Sequence, residues 1–186
     1  MGKVKGSIFI PWVKGVRGDK SGECDKYLTD EDREIISGHV LASSWYPFET
    51  YLNCVNAVAN VVAKDDMEKI RAWGRDFVDM AYKGIYKNLF SEKDPRRAMK
   101  SRQLMFKTLY DFVTAELEEI SENEYVVTFR GTGPEFKAVY YSWVGVMERG
   151  LELSGAEGLK AEFIEKDWNG SPKTRVRFTW SGWASD

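Results

Sequence analysis

The sequence predicts an α+β fold: a helical N-terminal part packed beside an antiparallel sheet of two β-hairpins, with a helix between the hairpins. The first observation behind this is the order of patterns from Ala115 to Asp186, where two alternating runs are followed by one amphipathic helix and two more alternating runs. The second is the middle of the chain, where three long segments carry apolar residues at three- and four-residue intervals. The third is that no repeat, low-complexity tract or linker divides the 186 residues, of which 43% are hydrophobic. A single domain over residues 1–186, with a substantial core, is therefore expected.

Taken in order, Val4 to Val13 is rich in β-branched and aromatic residues and predicts a first strand, stopped near Pro11 and then by Gly15 and Gly18. Gly15 to Cys24 reads as a charged, glycine-rich loop. Thr29 before Asp30, Glu31 and Asp32 has the form of an N-cap with an acidic first turn, opening a short helix that Gly38 ends. Pro47 is placed as a first helical residue, after which Phe48, Tyr51, Leu52, Val55, Val58, Ala59 and Val62 share one face. The next helix starts near Asp65 or Asp66, with Ile70, Trp73, Phe77, Ala81 and Ile85 on its stripe, and reaches Phe90. Another begins after Asp94-Pro95 and carries Met99, Met105, Leu109 and Phe112, widened by Phe106, Tyr110 and Val113.

The sheet region begins with a strand marked by Leu117 and Ile120, a tight turn at Glu122-Asn123, and a strand whose inward face is Tyr125, Val127 and Phe129. Gly131-Thr132-Gly133-Pro134 leads into a helix bearing Phe136, Val139, Tyr140, Trp143, Val146, Met147 and Leu151. Leu159, Ala161 and Phe163 alternate with charged residues, Asn169-Gly170 supplies a hairpin turn, and Thr174, Val176, Phe178 and Trp180 alternate with Arg175, Arg177 and Thr179.

Composition narrows the function classes. With 27 basic against 29 acidic residues there is no whole-molecule field to attract nucleic acid, and nucleic-acid binding is not expected. No segment approaches the roughly 20 apolar residues of a membrane span, and the short apolar run at Ile8 to Val13 does not make a signal peptide. Cys24 and Cys54 are too few to frame disulfides, so a cytoplasmic setting is expected.

His39 is the sole imidazole and shows no short ligand spacing to either cysteine, so a metal site of protein side chains is not expected; the residue stays a candidate haem ligand on count alone. Beside Gly38 at a helix end, a histidine is more often a capping or surface residue. Nucleophilic catalysis would have to recruit it, and no serine or cysteine sits in a recognisable elbow, so the sequence leans away from an enzyme. The glycine loop before Pro134 could hold an anion at a helix start, but it lacks the P-loop lysine and reads first as a strand-to-helix turn.

Aromatic residues carry the remaining signal. Trp45, Tyr46, Phe48 and Tyr51 cluster at one helix entry, and Trp73, Phe77, Tyr82 and Tyr86 along another. Amphipathic aromatics either fill a core or line a pocket for an apolar ligand. The pocket residues so predicted are Trp45, Tyr51, Val55, Trp73, Phe77, Tyr82, Met105, Leu109, Tyr140 and Trp143. Trp168, Trp180 and Trp183 crowd the end of the chain, where they either close the core or cover a partner surface along an edge strand.

Several short strings resemble a known family: Val4-Lys5-Gly6-Ser7-Ile8-Phe9, Trp45-Tyr46-Pro47-Phe48-Glu49-Thr50-Tyr51, Arg71-Ala72-Trp73-Gly74-Arg75, and the closing run from Arg149-Gly150-Leu151-Glu152-Leu153-Ser154-Gly155-Ala156 to Phe178-Thr179-Trp180. They resemble a myxobacterial paralogous family of unknown function, which is similar to the group holding haem nitric-oxide-binding domains, four-vinyl-reductase domains and tethering-complex subunits. The resemblance implies the same fold, and members that bind haem, apolar small molecules or acyl chains, or that act as assembly subunits. Haem sensors of that group take a proximal histidine from a later helix and hold the propionates with a Tyr-x-Ser-x-Arg motif. Here the nearest string, Tyr140-Tyr141-Ser142-Trp143, lacks the arginine and His39 lies far too early, which argues against haem and leaves the cofactor unknown.

The expected function is a non-catalytic sensory or regulatory domain holding a small, largely apolar ligand between helices and sheet, with a homodimer or a signalling protein as partner. The alternative is an interaction module, for dimerisation or assembly, with a fully packed core.

Overall fold

The computed structural model describes residues 2–82 and 93–183, the side chains of Tyr82 and Trp183 excepted. The predicted helical positions Ile85, Tyr86 and Phe90 lie outside the described residues, as do those two side chains. The chain divides into two compact units, one of residues 1–69 and 107–112, the other of residues 70–106 and 113–186.

In the first unit, β1 (Lys3–Lys5) pairs antiparallel with β2 (Trp45–Pro47), and the chain then turns into helix α1 (Gly6–Gly18). The predicted strand over Val4 to Val13 is thus corrected: only Val4 and Lys5 of that span are strand and the rest is helix. Phe9, Trp12, Val13 and Val16, all buried, recur at helical spacing, and Pro11 sits on the exposed side. The switch is fixed at Gly6, whose amide donates to the Ser44 carbonyl; a Cβ there would lie 2.0 Å from the Leu41 carbonyl oxygen. The predicted loop from Gly15 accordingly begins only after Gly18, and a 3₁₀ turn, Glu23–Tyr27, occupies part of it.

Helix α2 (Asp30–Ser37) starts with the predicted Thr29 cap, completed by Asp32: the Thr29 hydroxyl accepts from the Asp32 amide, and the Asp32 carboxylate from the Thr29 amide. Helix α3 (Phe48–Ala57) runs on into a π turn, Val58–Val62. Pro47 is not the first helical residue, as predicted, but ends β2 and caps α3 with an extended ψ of 135°. Tyr51, Cys54, Val55 and Ala57 are buried on α3, with Phe48. The stretch 107–112 joins this unit through a bridge between Val4 and Tyr110 and a bond of 2.6 Å from the Lys3 amide to Asp111 Oδ1.

Asp32, 3% exposed, ties α2 to α3 by accepting from the Asn53 amide at 2.8 Å. Burial alone would raise its pKa, but the bonds from the Thr29 amide, Asn53, Thr50 and the Thr29 hydroxyl outweigh it and hold the carboxyl below its ordinary value. A folded-state pKa below the unfolded one gives stability that is present above about pH 4 and lost as pH falls through the lowered value. Asp32→Asn is expected to cost about 2 kcal/mol at neutral pH and to flatten the acid limb of a stability profile measured by urea unfolding; parallel acid limbs in the two proteins would contradict this.

The second unit holds α4 from Ile70 onward (α4 spans Met67–Tyr82) and α5 (Pro95–Leu109) up to Phe106. Strands β3 (Thr114–Ser121) and β4 (Glu124–Arg130) follow, then α6 (Lys137–Leu153), β5 (Ala156–Glu157), β6 (Lys160–Glu165), β7 (Thr174–Thr179) and β8 (Gly182–Trp183). The four long strands form one antiparallel sheet in the order β3-β4-β7-β6, and β5 pairs with β8. This is the predicted arrangement of two hairpins with a helix between them.

Register separates the two sheet faces. Ala115, Phe129 and Thr174 lie in one cross-strand row, and Leu117, Val127, Val176 and Phe163 in the next, so the alternating apolar residues share the inner face. The outer face is a lattice of ion pairs: Arg175 reaches Glu118 and Glu165, each at 3.0 Å, Arg130 reaches Glu116 at 3.0 Å, and Arg177 reaches Glu124 at 3.3 Å. Glu116, Glu118 and Glu119 along edge strand β3 also discourage edge-to-edge pairing of copies.

Candidate functional site

The predicted pocket residues fall into both units. Trp45, Tyr51, Val55 and Leu109 belong to the first; Trp73, Phe77, Tyr82, Met105, Tyr140 and Trp143 belong to the second. In the first unit Trp45 is 40% exposed at the start of β2, with the Lys5 ammonium 4.3 Å from its ring centroid. Tyr51 and Val55 are core residues, and Tyr51 meets Phe9, Phe48 and Tyr110 at centroid distances of 6.0 to 6.3 Å. Burial pushes the Tyr51 phenol well above its ordinary pKa. Leu109 is half-buried on the last turn of α5.

The first unit also has a surface concavity of about 370 Å³ that sequence reasoning did not anticipate, with Val16, Arg17, Asp19, Cys24, Arg33 and Ile36 on its walls. Its charged groups are engaged locally: Arg17 donates to the carbonyls of Ile36 and Gly38 at the end of α2, Arg33 to the Asp25 carbonyl, and Asp19 accepts from Ser21 and from the Cys24 amide. Cys24 and Cys54 are buried, and burial pushes both thiols up to about 12, so neither is a ready nucleophile at neutral pH. His39 is exposed just past α2. Among the described residues, no three His, Cys, Asp or Glu side chains gather as a metal site.

In the second unit α4 and α6 cross at near backbone contact. A Cβ on Gly74 would sit 2.2 Å from the Ser142 carbonyl oxygen, and one on Gly145 would sit 1.9 Å from that of Arg71. Ion pairs line the crossing. Arg71 forks onto Glu148, with Nε donating to Oε2 at 2.8 Å, and reaches the Ala161 carbonyl on β6 at 3.1 Å. Arg75 binds Glu152 at 2.7 Å, and Arg149 binds Asp79 at 2.8 Å. Sequence reasoning missed this clamp. Isolated glycines inside two helical patterns were the available signal, whereas nothing in the sequence pairs Arg71 with Glu148.

The clamp sets the face of α4. Ile70, Gly74, Val78 and Ala81 are its buried stripe, with Val146 and Leu153 of α6 packed against Val78 and Ala81. Trp73 and Phe77, predicted on that stripe, lie on the neighbouring face and stay half-buried, one helical turn apart. Met105 on α5 is half-buried as well. Beside it, Phe106 meets Trp143 at 5.0 Å and Phe129 at 5.9 Å, and Tyr140 meets Trp143 at 5.9 Å, so this part of the predicted set is an aromatic core under the sheet. Arg102 on α5 is 3% exposed against Gly150 of α6; burial lowers its pKa to about 10, which keeps it charged at neutral pH.

Tyr140 is fully buried, stacks on Trp168 at 5.5 Å, and donates from its hydroxyl to Asp167 Oδ2 at 2.7 Å. Burial, then this bond, pushes the phenol well above its ordinary pKa, so it serves as a fixed donor that anchors the connection between β6 and β7. The glycine loop before α6 acts as a turn: Gly131 takes a φ of 76°, and Pro134 opens a 3₁₀ turn, Pro134–Phe136, ahead of α6. No described helix is long and apolar enough to cross a membrane.

This fold is similar to solved H-NOX domains. The unliganded Fe(II) H-NOX protein from K. algicida matches with a TM-score of 0.64 at 17% identity, covering 98% of this chain and 99% of that one. An oxygen-binding H-NOX domain related to soluble guanylate cyclases matches with a TM-score of 0.64 at 14% identity, covering 98% and 97%. A mutant H-NOX from T. Tengcongensis matches with a TM-score of 0.61 at 15% identity, covering 97% and 100%. No curated protein matches the chain. Residues 36–181 match a family that spans all of α6 and the four-stranded sheet, and on that match the chain belongs to the family described as Protein of unknown function (DUF2378).

Proposed function

We propose that the chain is a non-catalytic sensory or regulatory domain that binds a small, largely apolar ligand in its second unit, against the aromatic faces of its helices. The observation that carries this reading is the position of Trp73 and Phe77, two large rings left half-buried beside the stripe that locks α4 to α6. Full burial of an exposed side chain of this size is worth roughly 1.5–3 kcal/mol, so covering the part of each ring still open to solvent would contribute up to about a third of that, and an apolar ligand supplies such cover. Met105 is the other half-buried second-unit residue of the candidate site, whereas Tyr140 and Trp143, predicted with it, are packed core at 0% and 5% exposed. Tyr82 is assigned to it by sequence position alone. The fold likeness supports a ligand-holding role, since one neighbour is an oxygen-binding domain and another concerns haem distortion in the H-NOX family.

Haem ligated by histidine does not fit this chain. His39 is the only histidine; it belongs to the first unit and is exposed, and the second unit has none. The buried face of α5 carries Arg102 instead, a cation at neutral pH that is no axial ligand. The proposed ligand is one held by apolar contact and shape.

Native mass spectrometry of the chain offered long-chain acyl and aromatic compounds, with tryptophan fluorescence as a second readout, tests the proposal. Bound mass and a raised melting temperature are expected, with Trp73→Ala and Phe77→Ala each weakening binding about tenfold. Leu41→Ala, at an exposed position of the first unit, is expected to leave binding unchanged. Absence of any bound mass or thermal shift across both compound classes would overturn the proposal.

A further inference from the structure

Two exposed helix faces carry opposite charge. Helix α5 contains Arg96, Arg97, Lys100, Arg102 and Lys107 and no acidic residue. Arg97, Lys100, Leu104 and Lys107 recur at three- and four-residue intervals on its exposed side, with Leu104 64% exposed. Lys100 touches Glu119 at 3.2 Å in an exposed pair, while Arg97 and Lys107 have no carboxylate partner among the described residues. Helix α2 is the reverse: Asp30, Glu31 and Glu34 are exposed on it, with only Arg33 to offset them. The 3₁₀ turn before it adds Glu23, which is paired with Lys26, together with Asp25 and the exposed Tyr27.

We propose that the basic stripe of α5 docks on the acidic face of α2 of a second copy of this chain. Like charges one turn apart on a helix repel by roughly 0.2–0.5 kcal/mol per pair, so each face is stabilised when the other neutralises it. The lengths agree: Arg97 to Lys107 spans about 15 Å and the eight residues of α2 about 12 Å. Leu104 on one face and Tyr27 beside the other supply apolar contact inside the charged rim, the usual layout of an interface. With a formal net charge of only −2, the copies have little overall repulsion for these patches to overcome. The contact joins unlike surfaces, so it closes when both copies use both faces or when several copies form a ring.

Sedimentation velocity of the full chain over a range of concentrations tests the proposal. Reversible association at low ionic strength, lost at high ionic strength, is the expected result. Arg97→Glu with Lys107→Glu should weaken it about tenfold or more, and Glu31→Lys with Glu34→Lys should do the same. Mixing these two variants, or joining both pairs of changes in one chain, should restore it. Circular dichroism and melting temperature check folding, and the neutral pairs Arg97→Gln with Lys107→Gln and Glu31→Gln with Glu34→Gln replace any reversal that unfolds. A chain that stays monomeric at every concentration in low salt overturns the proposal, as does association that the charge swap fails to restore. Capture of monomers by polyglutamate or by phosphatidylserine vesicles through α5, without self-association, also overturns it in favour of another occupant.

Discussion

Gly145→Ala is expected to destabilise the second unit by about 3 kcal/mol, at the upper end of what one added carbon costs in a packed interior. The added Cβ would meet the Arg71 carbonyl oxygen at 1.9 Å, a backbone atom of α4 that moves only if the helices part. Parting them loosens the packing of Val78 and Ala81 against Val146 and Leu153, and it lengthens the Arg71–Glu148 fork. The sign is diagnostic, because glycine to alanine in an unconstrained helix interior stabilises by about 1 kcal/mol. For a chain of this size the melting temperature should fall by about 6–12 °C. Gly74→Ala should behave alike, its Cβ meeting the Ser142 carbonyl oxygen at 2.2 Å. The double variant should cost less than the sum of the two, since the first change already opens the gap the second needs. A rise in melting temperature on Gly145→Ala would refute the close crossing.

Glu148→Ala is expected to cost about 3 kcal/mol, measured by urea unfolding, since it strands a largely buried guanidinium. The side chains of Arg71 and Glu148 are 20% and 10% exposed, so water softens the loss without removing it. Arg75, with Nη1 3.8 Å from Glu148, also loses part of its counter-charge, although Glu152 still holds it. The double replacement Arg71→Leu with Glu148→Leu should recover most of the loss, because two apolar groups need no pairing. If the double variant is as unstable as the sum of the single ones, the pair contributes through packing rather than charge.

Much of the second unit was legible in the sequence. Tyr125, Val127 and Phe129 recur at the two-residue period of a strand and share one sheet face, although Val126 and Thr128 between them are buried as well. Asp94-Pro95 opens α5 where predicted, and the Thr29 cap opens α2. These are local signals, and each depends on residues within one turn. The helix α1 was not legible, because Ile8, Phe9, Ile10, Trp12 and Val13 suit a strand as well as a helix. The buried positions Phe9, Val13 and Val16 settle it through contacts with residues distant in sequence.

The candidate site divides the same way. Aromatic spacing identified the helices that bear Trp73, Phe77, Met105 and Trp143, but spacing cannot rank neighbouring stripes of one helix. The glycine contact between α4 and α6 turned Ile70, Gly74 and Val78 inward and left Trp73 and Phe77 half-covered, a choice that rests on backbone approach across more than sixty residues of sequence.

By itself, then, the sequence determined the sheet with its crossing helix, the caps that start α2 and α5, and the single histidine that argues against a histidine-ligated haem. Tertiary structure alone decided that Gly6 begins a helix, that Arg71 and Glu148 are clamp residues rather than surface charges, and which aromatic rings remain half-buried. The physical reason is range. Propensity, period and capping act within about one turn of chain, whereas close approach, charge burial and partial cover exist only once distant segments meet.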